Sequence, residues 1–402
     1  MVGQKTPGTA LRPVGPIVDP RLFARAIKQG RVRGVATELM AAVLDQPRDA
    51  DRIVRDGLRV ARQLHSAERR LVGDGIYAWM RHGAWLERAT GSDSVDQAWL
   101  GWLALSGPVE GVTLREPDLS ALSDVEALAV WGNVDEVLAD ALIASVPDPI
   151  AFLVASNQRA SLVLRANRVW CTREQLAERL AGEGVVTSPG RLAPDALIAE
   201  KSFDVNASAS FRDGWFEVQD EGSQLVVAHG EPRGRVLDLC AGAGGKALHA
   251  ASVGAGPIVA CDVRRSALDE LDRRSFRARV RITTRVIAED VELPRSETVI
   301  VDAPCSGTGT LRRHPELRLR LGVQELARFP RVQRELIAKG AALVEPGGRL
   351  VYATCSVLRA ENEDLVDAFL AGTPRFRRLK DDRKVRPETD GCDGMYVAVL
   401  GC

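Results

Sequence analysis

The chain has 402 residues, with 54 Lys+Arg against 54 Asp+Glu, 45% hydrophobic and 27% charged residues. Those proportions exclude a fibrous or wholly disordered protein, and the length calls for two or three domains, because single cores stop growing beyond about 250–300 residues. Zero net charge argues at first sight against a polyanionic partner. Only seven of the cations are lysines, however, so most of the positive charge sits on the side chain that grips phosphate bidentately. Seven cysteines form no Cys-x-x-Cys pair, which fits a reducing compartment better than a disulfide framework or zinc ribbon. No apolar run reaches the roughly 18–20 residues of a membrane span, and Pro and Gly stand near the start where a signal peptide has an apolar centre. A cytoplasmic monomer without membrane contact is expected.

Residues 1–19, rich in Pro, Gly and Thr, suggest a flexible lead. Residues 20–146 have a helical pattern, with Val54, Leu58, Ala61 and Leu64 on one face. Trp79, Trp85, Trp99, Trp102 and Trp131 fall in this stretch and are expected to fill a helix-bundle core rather than to stack on bases. Pro147-Asp148-Pro149 breaks the pattern. Residues 147–230 then suggest a small α+β domain, with strands over 161–164 and 215–218 and a helix over 174–182. From 231 to 402, short apolar runs alternate with helical patterns. Strands are expected over 236–240, 258–262, 285–288, 299–302, 350–354 and 396–400. That alternation predicts an α/β, Rossmann-like domain with a mostly parallel, seven-stranded sheet, the last strand being antiparallel.

Three motifs of this last region carry chemistry. In the first, an apolar strand runs into Cys240-Ala241-Gly242-Ala243-Gly244-Gly245-Lys246. Glycines let the backbone approach a ligand, and the helix that follows offers free N–H groups. Asp262 closes the next strand, 24 residues after Asp238, where a carboxylate can bind ribose hydroxyls. The Gly-x-Gly-x-x-Gly spacing is absent and the turn is no P-loop, so S-adenosylmethionine is favoured over a dinucleotide.

The second motif, Val301-Asp302-Ala303-Pro304-Cys305-Ser306-Gly307-Thr308-Gly309, puts Asp302 and Cys305 at the carboxyl edge of the sheet, where open α/β sheets bind ligands. The third ends a strand at Thr354-Cys355-Ser356 and brings a second thiol to the same edge. Glu361 and Glu363 follow it, read as the acidic first turn of a helix. Two thiols beside a methyl-donor pocket suit methylation at carbon 5 of a pyrimidine. That carbon is too weak a nucleophile until a thiolate adds to carbon 6 and makes the ring an enamine, while a nearby acid stabilises the ring as it accepts electrons.

The stretches DLCAGAGGK, DAPCSGTGTLRRHPELR and YATCSVLRAENED closely resemble the signature motifs of the Sun/Fmu family of RNA cytosine-5 methyltransferases. The resemblance implies Cys355 as nucleophile and Cys305 as the thiol that assists product release. It implies that Cys240 to Lys246, Asp262, Asp290 and Asp302 line the S-adenosylmethionine site, with Lys246 and Asp302 also reaching toward the base. It further implies that Leu164-Arg165-Ala166-Asn167 and Gly214 to Gln224 belong to an RNA-contacting connector, and more loosely that the N-terminal helices are NusB-like. The substrate so implied is an RNA, ribosomal ahead of transfer RNA. The chain departs from the family's Ala-Pro-Gly-Gly-Lys-Thr in having Gly-Ala-Gly-Gly-Lys-Ala.

From Arg264 to Arg320 there are 13 arginines against nine acids, and Arg312, Arg313 and Arg318 are expected to hold RNA phosphates. His65, His82, His229, His249 and His314 show no ligand spacing, so no metal is expected, and Cys171, Cys261, Cys392 and Cys402 are expected to be unreactive. Two other classes compete with the enzyme: a non-catalytic RNA-binding or ribosome-assembly factor, which the paired thiols disfavour, and a nicotinamide-dependent dehydrogenase.

Overall fold

A computed structural model describes residues 12–28, 30–288 and 292–402. The chain divides into two compact units, Met1–Gln158 with Leu311–Leu326, and Arg159–Thr310 with Ala327–Cys402.

The first unit is helical: α1 Pro20–Ile27, α2 Arg31–Asp45, α3 Ala50–Val60, α4 Ser66–Thr90, α5 Val95–Ala104, α6 Asp124–Gly132, α7 Glu136–Ser145 and α8 Pro149–Asn157. The sequence marks several of its ends. Ser123 and Glu126 form a capping box at the start of α6, and Gly91, at φ 71°, closes α4. The five tryptophans are core, none more than 6% exposed. Gly75 of α4 lets Trp99 and Trp102 lie against the helix, since a Cβ there would come within 2.4 Å of the Trp99 ring. Among the described residues no single helix is long and apolar enough to cross a membrane.

The second unit begins with a four-stranded antiparallel sheet, β1 Leu162–Ala166, β2 Thr187–Pro189, β3 Ala196–Ala199 and β4 Phe216–Val218, in the order β2-β3-β1-β4. Helix α9 (Arg173–Gly182) packs Leu176 and Leu180 against Leu164, Leu197 and Phe216 of this sheet. After α10 (Ala209–Arg212) and α11 (Glu221–Gly230) comes the larger sheet. Strands β5 Val236–Asp238, β6 Ile258–Asp262, β7 Ile282–Val286, β8 Ser296–Asp302 and β9 Val344–Thr354 run parallel, with α12 Gly245–Ser252, α13 Arg265–Ala278 and α14 Val323–Ala342 between them. After α15 (Glu363–Gly372) come two short edge strands, β10 Arg377–Arg378 and β11 Arg383–Val385, then α16 Pro387–Asp390 and β12 Met395–Gly401.

Strand β12 pairs antiparallel with β9, as expected for the last strand, and β10 and β11 add to the six strands placed in the sequence, so the sheet has eight strands where seven were expected. The strand expected at 285–288 lies earlier, at Ile282–Val286. It is an edge strand, and Thr283 and Arg285 face water, so an apolar run marks it poorly. Both faces of the sheet are covered, Val236, Ala260, Ile300 and Val351 packing on one side and Leu237, Cys261, Val299 and Tyr352 on the other.

Candidate functional site

Strands β5, β6, β8 and β9 end in Asp238, Asp262, Asp302 and Thr354, so the parallel sheet delivers its polar side chains to a single edge. The glycine turn leaves β5 at this edge. Gly242 and Gly244 have φ of 54° and 84°, a left-handed geometry that glycine adopts without strain. The Gly242 amide donates to Asp262 Oδ2 at 2.8 Å. Burial would lift the Asp262 carboxyl, but the Arg264 guanidinium and the amides of Arg264 and Gly242 together hold it below its ordinary range.

Asp238 is fully buried, and neither of its oxygens has a well-formed hydrogen bond, although the Cys240 and Ala247 amides lie near. Burial, with the Asp302 charge adding to it, pushes its carboxyl up to about 7. An orphaned buried acid, a turn with nothing larger than alanine between Cys240 and Lys246 and a second acid on the next strand together fit a methyl donor that carries a ribose and a cationic sulfonium.

The two expected thiols meet. Cys305 Sγ and Cys355 Sγ lie 3.3 Å apart. The hydrogen bond from Cys305 lowers the Cys355 thiol below its ordinary value despite its burial, whereas Cys305, with Cys355 and burial both against it, is raised well above. Of the two, ionisation is therefore favoured at Cys355 over Cys305. Lys246 Nζ lies 2.6 Å from Asp302 Oδ2. Burial opposes the ammonium, but Asp302 more than offsets this and holds Lys246 above its ordinary value. The same cation favours the Cys355 thiolate. Cys240 differs, its thiol raised by burial and by Asp238, Asp302 and Asp262, so it is an unreactive lining residue.

Several supports of the turn come from residues whose role was not legible in the motifs. Arg274 of α13 donates to the Ala243 carbonyl at 2.6 Å and pairs with Glu217 of β4, which also pairs with Arg277. Asn167 donates to the carbonyls of Gly214 and Ala278 at 2.8 and 2.9 Å. Gly214 has a φ of 79°, and a Cβ there would meet the Arg277 carbonyl oxygen at 2.0 Å. Within the second unit, Asn167, Gly214 and Glu217 thus tie the small sheet to α13 and, through Arg274, to the glycine turn.

Other expectations change. Asp290 lies outside the described residues. Arg318 cannot serve RNA phosphate: it is 2% exposed, and it donates to the Gly132 carbonyl at 2.5 Å and to Asn157 Oδ1 at 2.8 Å inside the helical unit. Arg312 is 8% exposed and Arg313 half-buried, and both have partners within the protein. His314 does meet acids, its Nδ1 lying 3.6 Å from Asp51 Oδ2 and 3.2 Å from Glu316 Oε1, an approach of α3 and the 311–326 segment that spacing cannot show. The three side chains lie close enough together to share a cation, and the imidazolium between two carboxylates supplies one itself. Glu361 is not in the first turn of α15 but one residue short of its cap, and it is 1% exposed.

The strand order, with a glycine turn after the first parallel strand and an antiparallel strand beside the last, defines a Rossmann-like methyltransferase fold of the S-adenosylmethionine-dependent class. Residues 226–401 match a family described as 16S rRNA methyltransferase RsmB/F, and residues 136–206 match the ferredoxin-like domain of RsmF/B-like methyltransferases. Ribosomal RNA small subunit methyltransferase B of Pseudomonas syringae pv. tomato is 32% identical over 70% of this chain and 70% of its own length. The chain belongs to the RsmB/F family. The protein of the same description from Vibrio cholerae serotype O1 is 35% identical over 61% of this chain, a match that spans 60% of that relative's length. Among solved structures, PH0851 shares the fold with a TM-score of 0.73 at 21% identity, over 96% of this chain and 99% of its own.

Proposed function

We propose that the chain transfers a methyl group from S-adenosylmethionine to carbon 5 of a cytosine in small-subunit ribosomal RNA, through a covalent bond between Cys355 and carbon 6. The thiol pair carries this reading: two sulfurs 3.3 Å apart at one sheet edge, with ionisation favoured at Cys355 and disfavoured at Cys305. The glycine turn, Asp238 and Asp262 hold the methyl donor, which supplies an electrophilic methyl group. The Cys355 thiolate adds to carbon 6, and the electron pair released onto the ring makes carbon 5 nucleophilic. Lys246 and Asp302, joined at 2.6 Å, stabilise the charge that develops on the ring in this reading. Once carbon 5 bears the methyl, loss of its proton to a base and expulsion of the Cys355 sulfur restore the aromatic ring, with Cys305 assisting the release.

Only an extruded base can reach paired thiols at a sheet edge, which favours a loop or single-stranded target. A non-catalytic assembly factor would have no need of a polarised thiol pair. Bisulfite sequencing of ribosomal RNA from cells with and without the gene tests the reading. One cytosine that resists conversion only when the gene is present is expected, and an unchanged pattern overturns it.

A further inference from the structure

The sequence assigns Glu361 to helix electrostatics, but its surroundings give it another task. Its Oε2 accepts from the Ser306 amide at 2.9 Å and from Gln333 Nε2 at 2.8 Å, and its Oε1 accepts from Ser356 Oγ at 2.8 Å. Ser306 and Ser356 are the residues immediately after the two thiols. Gln333 Nε2 also donates to the carbonyl of Pro304, the residue before Cys305, at 2.9 Å. Tyr352 of β9 donates to the Glu361 carbonyl at 2.7 Å, and Ser306 Oγ lies 3.1 Å from Ser356 Oγ. Glu361, Ser306, Gln333, Ser356 and Tyr352 are all buried. One carboxylate therefore gathers the loop after β8 and the loop after β9, which carry one thiol each.

We infer that Glu361 is a positioning residue for methyl transfer: it clamps the Cys305 and Cys355 loops at thiol contact distance. The inference rests on the proposed roles of the two thiols. A buried carboxylate with three donors is satisfied in place and needs no ligand, so its effect on chemistry passes through the loops. The charged or titratable groups that act on Cys355 are Cys305, Asp302, Lys246 and Glu361, and those that act on Cys305 are Cys355 and Glu361. Glu361 and Asp302 disfavour the thiolate and Lys246 favours it.

The test compares Glu361→Gln with Glu361→Ala in the full chain. Its readouts are the pH dependence of iodoacetamide alkylation at Cys355 and Cys305, read by peptide mass spectrometry without RNA, and methyl transfer to ribosomal RNA. Glutamine can keep the two bonds from Ser306 and Gln333 and donate its amide to Ser356 Oγ in place of the third, while losing the charge. It should retain most of the transfer rate, with both alkylation profiles moved to lower pH. Alanine releases the loops and should lower transfer by about 100-fold, the scale of a displacement near 1 Å, while S-adenosylmethionine still binds. If alanine prevents folding, the glutamine profile decides. Unmoved alkylation profiles in the glutamine variant overturn the proposal, as does a folded alanine variant with wild-type transfer. A wild-type protein that methylates no RNA, beside a glutamine variant with shifted profiles, would defeat the functional reading and leave the clamp standing.

Discussion

The sulfurs of Cys305 and Cys355 stand 3.3 Å apart although the residues are 50 positions apart in the chain and follow different strands. That contact couples the two thiols, and their separate proposed roles can be tested. Cys355→Ala should abolish methyl transfer and form no adduct. Cys305→Ala should still add to the base but release it slowly, accumulating a protein–RNA complex that survives a denaturing gel. Free methylated product at the normal rate from the second variant would remove Cys305 from release.

Lys246 is the cation that acts on the Cys355 thiolate. Replacing it with Met leaves Asp302, its partner at 2.6 Å, as an unbalanced negative charge beside the thiol. The Cys355 alkylation profile should then move to higher pH, opposite to the shift expected for Glu361→Gln. An unchanged profile would mean that the ammonium does not support the thiolate.

Gly244 and Gly254 both have left-handed φ, 84° and 88°, but a Cβ at Gly244 would come within 2.0 Å of Leu271 Cδ1 whereas one at Gly254 meets nothing within 4 Å. Gly254→Ala should cost about 1 kcal/mol, from backbone strain alone. Gly244→Ala should cost more, about 2–4 kcal/mol once overpacking is added, and should weaken S-adenosylmethionine binding. Thermal melts and cofactor titration of the two variants give the comparison; equal melting temperatures would contradict it.

Arg318 donates to Gly132 and Asn157 from a buried position in the helical unit. Arg318→Ala should therefore destabilise that unit by about 3 kcal/mol, the scale of lost hydrogen bonds to a charged group, as read by denaturant unfolding. An arginine used only for RNA would leave unfolding unchanged and lower RNA affinity alone.

His314, held by Asp51 first and Glu316 next, has its pKa raised to about 10 from an ordinary value of 6.5. A raised folded-state value means stabilisation that is fully present below about 6.5 and is lost as pH rises through about 10. Unfolding measured between those limits should show the wild type losing stability relative to His314→Ala as pH rises. Parallel curves would show that the ion pair contributes nothing.

Much of the α/β unit was legible because its signals are local. Strand β6 falls at its expected residues, and the strands over 299–302 and 350–354 are extended only at their starts, where Ser296 and Val344 continue the pairing. The expected 236–240 strand stops at Asp238, where the glycine turn begins. Strands β2 and β3 were not expected: they are three and four residues long, and Pro and Ser in β2 give no alternation. The arginines after Cys305 were misjudged because a run of cations in a loop-like sequence resembles a phosphate grip. Burial decides the matter, and it depends on Gly132 and Asn157, which lie 186 and 161 positions away.

By itself the sequence determined the order of the longer strands of the α/β unit, the glycine turn, and the two thiols and the acids Asp262 and Asp302 at one sheet edge, because strand ends and turns are written in neighbouring residues. Only the tertiary structure decided that the two thiols touch, that Glu361 joins the two thiol loops, and that Arg318 belongs to the helical core. Those outcomes depend on distance and burial between groups far apart in the chain. Charge and hydrogen-bond energies are set by separation and surroundings in space, which no spacing along the sequence supplies.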